Sequence, residues 1–259
     1  MNVWRLPRLR PGMLRVWRRN LLVWQKLLAP SLLLNFGEPF LYLLGLGLGL
    51  GQFVGELGGL PYLTFLASGL LASSAMNTAT FEGLFSVYTR MVPQQTYEAM
   101  LATPLEVDDI VAGEMLWCAT KGLISSSAIL LVSFLIGAIS HWQALLCIPL
   151  FFLTGLCFAG PAIMVASFSR SYDFFSYYIT LALTPMFIFC GVFYPVASLP
   201  DFVQALVGLL PLSHAIALIR PLATGQEVSH LALHIGVLLG FALFTFYCAT
   251  ALVRRRLVQ

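Results

Sequence analysis

Six apolar stretches constrain this chain more than any motif does, because each is close to the ~20 residues that a helix needs to cross a bilayer. They cover about residues 31–53, 62–87, 115–138, 142–168, 174–193 and 231–253. With 59% hydrophobic and 10% charged residues, the chain falls far below the ~25% charge of soluble domains. In hydrocarbon every backbone N–H and C=O must be satisfied within the segment, so apolar runs of this length read as helices. The expected fold is an all-α polytopic membrane protein with six transmembrane helices. The spans leave no room for a separate soluble domain, so residues 1–259 read as one transmembrane domain: a basic arm (1–30), six spans (31–253) and a basic tail (254–259).

The arm holds seven of the fourteen Lys and Arg residues, among them Arg15, Arg18, Arg19 and Lys26. It is not followed by the apolar core and small-residue cleavage site of a signal peptide. On a helix begun near Met13, Leu14, Trp17, Leu21, Trp24 and Leu28 share one face while the four bases gather on another. That pattern predicts an amphipathic helix in the membrane interface, with a flexible basic leader as the alternative.

Residues 194–229 are punctuated by Pro195, Pro200, Pro211 and Pro221. Read as a full span, residues 201–222 would put Arg254, Arg255 and Arg256 across the membrane from the basic arm, which the positive-inside rule rejects. The segment is therefore expected to form two short re-entrant helices in the outer leaflet, broken at Pro211. Both termini, Arg90 and Arg170 are then cytoplasmic.

Between the second and third spans lies a polar island, residues 96–114, with five acids, Glu98, Glu106, Asp108, Asp109 and Glu114, and no base. Tyr97, Met100, Leu101, Pro104 and Leu105 fall at helical spacing from Thr96 onward, which gives one apolar ridge that needs something to dock on.

Candidate chemistry is sparse. A phosphate-binding Walker loop requires GxxxxGK[ST], but Lys26 and Lys121 follow Gln25 and Thr120, so ATP would have to be bound by another polypeptide. The five cysteines sit in apolar runs without CxxC spacing, so neither a disulfide framework nor a zinc site is expected. His230 and His234 stand at i, i+4 with no third ligand evident, and no metal is expected. Nothing points to a nucleic-acid partner.

The first span carries two overlapping small-xxx-small pairs, Gly45/Gly49 and Gly47/Gly51, suited to dimerisation or to packing within the chain. Glu38, Glu82 and Lys121 lie at a common depth, roughly 8–9 Å below the cytoplasmic edge at 1.5 Å per residue, with Arg90 just beneath. Charges at such depth cost at least ~2.5–3.5 kcal/mol each unless paired, which predicts a mutual cluster acting as an ion-pair clamp or as a gate. Aromatic residues crowd the outer half, and Phe187, Phe193 and Tyr194 are candidates for a translocation path, with an interfacial aromatic belt as the alternative.

Two stretches carry a resemblance. FEGLFSVYTRMVPQQTYEAMLATPLEVDDIVAGE (81–114) and GVFYPVASLPDFVQALVGLLPLSHAIALIRPLATG (191–225) closely resemble permease subunits of type 2 ABC exporters, especially the nodulation-factor (NodJ-like) lipo-oligosaccharide branch. The resemblance implies a homodimer in the bacterial inner membrane working with two separate nucleotide-binding subunits that hold the ATP and magnesium. It implies a cytoplasmic coupling helix at residues 96–105, with Thr96, Tyr97, Glu98, Met100, Leu101, Pro104 and Leu105 facing the ATPase; charge complementarity then predicts that Glu106, Asp108 and Asp109 meet bases on that partner. The implied cargo is a lipid-linked or acylated oligosaccharide. An exporter of drugs or other lipids, a membrane transferase acting on lipid-linked sugars and a passive channel are the competing readings.

Overall fold

The computed structural model describes residues 4–26 and 41–258. Glu38 and the first part of the expected first span lie outside them. Among the described residues the chain is almost wholly helical, with one two-stranded hairpin. The helices are α1 (Gly12–Gln25), α2 (Leu43–Val54), α3 (Tyr62–Phe81), α4 (Val87–Met91), α5 (Thr96–Leu101) and α6 (Val107–Leu135). After them come α7 (Cys147–Phe168), α8 (Phe174–Phe189), α9 (Asp201–Val207), α10 (Pro211–Thr224) and α11 (Leu231–Val258).

Glu56–Leu57 (β1) and Leu60–Pro61 (β2) pair antiparallel across Gly58 and Gly59, whose φ of 61° and 76° suit the tight turn that matches strand twist. Pro61 then starts α3, which continues through a π-helical turn, Glu82–Ser86, into α4. The hairpin marks one end of the bundle. The amino-terminal arm marks the other, where Arg254 near the end of α11 bonds Asp108 at the start of α6.

Three helices among the described residues, α6, α7 and α11, are long and apolar enough to cross a membrane. The stretch expected as the second span is helical, α3 and its continuation, but more polar, with Ser68, Ser73, Ser74, Thr78 and Thr80 all buried. Its neighbours α6, α7 and α10 surround it, so it need not be apolar to meet lipid. Ser74 and Ser125 share a 2.8 Å hydroxyl hydrogen bond, and Ser126 donates to the Leu71 carbonyl at 2.7 Å, which ties α3 to α6 through side chains rather than through hydrophobic surface.

α9 and α10 meet at 88°, separated by Gly208–Leu210, and Pro211 opens α10 where its missing N–H costs nothing. α10 packs on α3, α7 and the start of α11, so the pair stays at the hairpin end.

The arm is helical, and the side it seats on the bundle is offset from its apolar stripe. α1 lies along the first turns of α6 and buries Val16 and Asn20, while Leu14 of the expected apolar face stays exposed. Gly113 sets this contact, since a Cβ there would stand 2.6 Å from that of Val16. Helix-wheel counting locates the apolar stripe but cannot foresee a glycine seat offset from it by one residue.

Candidate coupling helix and buried charge network

Six residues are too few to hold a helix in water, so α5 depends on what it packs against. Gln95, at φ 50°, reverses the chain before it. Tyr97 and Met100, at 1% and 8% exposure, enter the same buried cluster as Val16, Tyr88, Met91 and Ile110. The Thr103 hydroxyl donates to the Met100 carbonyl at 2.6 Å and closes the helix before Pro104. The apolar ridge expected to dock on a partner is thus covered largely by the chain itself. The face left exposed carries Gln95, Glu98, Ala99, Ala102, Thr103 and Pro104, while Thr96, Leu101 and Leu105 are half-buried.

The acids that come next also turn inward. The Glu106 side chain accepts the Asp109 N–H and the Asp109 carboxylate accepts the Glu106 N–H at 3.0 Å, a capping box that starts α6. Asp108, 2% exposed, accepts from Arg254 Nε at 2.9 Å and Nη2 at 2.5 Å and from the Arg8 backbone N–H at 2.9 Å. Arg10 and Arg5 reach Glu106 at 2.6 and 3.1 Å. Asp108 and Asp109, expected to meet bases on a partner, are therefore held inside the chain. The bases that answer this part of the island belong to the arm and to α11.

Deeper in the bundle, Glu82 pairs with Lys121 at 2.8 Å and with Arg90 at 3.3 Å, and accepts the Trp117 indole N–H at 2.9 Å. Arg90 also bonds Glu114 at 2.6 Å, and Glu114 in turn accepts from Asn20 of α1 at 3.0 Å. Two acids and two bases thus balance in a nearly dry space bridging α3, α4, α6 and α1, which meets the pairing rule for buried charge. Sequence depth brings Glu82, Arg90 and Lys121 together but passes over Glu114 and Asn20. The missed signal is spacing, because Glu114, Trp117 and Lys121 fall at i, i+3 and i+7 on one helix face.

α5 touches this network through Tyr97. Burial pushes its phenol well above the usual range, so the hydroxyl stays a neutral donor facing Glu114. Both Tyr97 OH and Glu114 Oε1 are buried without a hydrogen-bond partner among the described residues.

The glycine pairs divide. Gly47 packs on Leu63 and Gly51 approaches Tyr62, both of α3, whereas Gly45 and Gly49 are exposed with open space around them. Phe187 and Phe193 stack edge-on at 4.9 Å and both meet Tyr42 of the chain leading into α2, while Tyr194 is half-buried beside them. His234 bonds His214 through their Nδ1 atoms at 2.7 Å, and no group of three His, Cys, Asp or Glu suited to a metal occurs among the described residues.

Residues 12–224 match the profile of the ABC-2 type transporter family. The chain belongs to that family. It is 45% identical to Nodulation protein J of Rhizobium leguminosarum bv. viciae over the full length of both chains. Nodulation protein J of Bradyrhizobium diazoefficiens is 44% identical over 94% of this chain and 93% of its own. The inner membrane transport permease YadH of Escherichia coli is 26% identical over 92% and 91%. The chain is therefore a multi-pass transmembrane permease subunit of an ABC exporter, and the ATPase is a separate subunit.

Proposed function

We propose that this permease, as a homodimer of six-span subunits in the bacterial inner membrane with both termini cytoplasmic, exports a lipid-linked or acylated oligosaccharide. The positive-inside rule supports the orientation, since the arm, Arg90, Arg170 and the α11 tail gather at one end. In this reading α2 and α8, shorter than a full span among the described residues, and the more polar α3 join the three long apolar helices α6, α7 and α11 to make six spans. The open Gly45/Gly49 stripe of α2 suits the second subunit, and Tyr42, Phe187, Phe193 and Tyr194 offer rings on which sugars stack.

The observation that carries the coupling reading is the two-sided α5. One face is free for an ATPase cleft and the other is seated against the charge network through Tyr97. ATP-driven closure of the partner would push α5, and the network would pass the displacement to α1, α3 and α6 as one body. The substrate class rests on the likeness to Nodulation protein J over the whole chain.

The test is ATP-dependent uptake into inverted vesicles containing this chain and its ATPase subunit, with a fluorescent acylated chito-oligosaccharide as cargo. Uptake that needs both ATP and the ATPase subunit is expected. Transport of hydrophobic drugs with none of the oligosaccharide would overturn the substrate assignment.

A further inference from the structure

A cavity of about 230 Å³ lies beside the network, between α1 and the helical stretch ending in α4, lined by Arg19, Ser86, Thr89, Arg90 and Gln94 among others. Among the described residues, no carboxylate lines it. Glu82 and Glu114 are already matched by Arg90 and Lys121, which leaves Arg19 as surplus positive charge, with no carboxylate within 4.0 Å among the described residues. One Arg19 nitrogen, Nη1, donates to Asn20 at 3.0 Å, so the rest of the fork remains available. Arg90 Nε is buried without a partner among the described residues. The remaining wall is apolar, from Val23 and Phe85.

We propose that this cavity binds a phosphate-class anion, a phospholipid headgroup or a free phosphate, gripped by Arg19 with help from Arg90, Thr89 and Gln94. Guanidinium forks match phosphate oxygens in pairs, which a lone lysine cannot do. Burial and then the positive charge of Arg90 hold the Arg19 guanidinium below its ordinary pKa against the weaker opposing pull of Glu114, and an anion between the two guanidiniums would relieve their repulsion. Because Arg19 adjoins Asn20, which bonds Glu114, an occupant would also brace α1 against the network. The site needs no ATP turnover, so it can fail while the export reading stands, and the reverse is equally true.

The experiment uses the assembled complex with its ATPase subunit in phosphatidylcholine nanodiscs doped with phosphatidylglycerol. Lipid retained per subunit is read by native mass spectrometry, and inorganic phosphate binding is read by calorimetry. The wild type is expected to keep phosphatidylglycerol over phosphatidylcholine, R19Q to retain it about tenfold less, and R19K to recover part of the loss. R18Q, at an exposed position on the same helix, is expected to behave as wild type. Retained phosphatidylglycerol lost in R19Q assigns a headgroup, while phosphate binding lost in R19Q without lipid retention assigns a free phosphate. Binding of neither probe, or an equal loss in R18Q, would overturn the proposal.

Discussion

The two ends of the bundle handle buried positive charge in opposite ways. At the arm end, Arg90, Lys121 and Arg254 each meet a carboxylate on another segment, at 2.6, 2.8 and 2.5 Å. At the hairpin end, Arg220 of α10 has no carboxylate within 4.0 Å among the described residues. Its guanidinium lies 3.7 Å from the Phe65 ring centre and donates to the Gly191 carbonyl at 2.7 Å, the Ser68 hydroxyl at 3.0 Å and the Phe65 carbonyl at 3.3 Å. Paired charges resist separation, because pulling the helices apart leaves a bare ion on each side. Neutral acceptors are cheaper to leave, since water or another donor can replace the lost bond. The arm end is thus built to move as one piece, and the bent α9–α10 pair at the hairpin end is pinned by bonds that can be exchanged.

The sharpest way to break this contrast is Arg90→Met, which strands Glu82 and Glu114 without their shared cation. A loss of about 3–5 kcal/mol is expected, read as a large fall in the thermal midpoint of the purified complex. Adding Glu114→Gln should recover part of it, because one uncompensated charge is then gone. Asp108→Asn keeps the shape but weakens charge-assisted bonds to Arg254 and Arg8, and should cost about 2 kcal/mol with faster proteolysis of the arm. Arg220→Met strands only carbonyl acceptors and a hydroxyl, so about 1–3 kcal/mol is expected, with quicker amide exchange confined to α9 and α10. If Arg220→Met matched Arg90→Met in cost, the contrast between the two ends would collapse. Tyr97→Phe removes a hydroxyl that faces Glu114 without a hydrogen bond among the described residues, and should change stability by less than about 0.5 kcal/mol.

The long apolar helices α6, α7 and α11 are legible in the sequence because length and hydropathy suffice for a span, and Pro211 marks the break between α9 and α10. The polarity of α3 cannot be weighed in advance, since a helix enclosed by protein escapes the lipid rule. Within the candidate site, depth counting places Glu82 and Lys121 at one level with Arg90 just beneath, but the partners of the acidic island stay invisible: Asp108 and Arg254 are 146 residues apart. The orientation of α5 is hidden for a related reason. Periodicity says that Tyr97 and Met100 share an apolar face, not that Val16, Tyr88 and Ile110 will be there to cover it.

With that face covered, the ATPase should touch the side of α5 that periodicity leaves polar or small. Photocrosslinking tests this most directly, with a benzophenone amino acid placed at Ala99, Ala102 or Met100 in the assembled exporter. Adducts to the ATPase subunit from Ala99 and Ala102, and none from Met100, are the predicted result. Crosslinks absent from all of α5 while the exposed Arg170–Asp173 turn captures the ATPase would contradict a coupling role for α5.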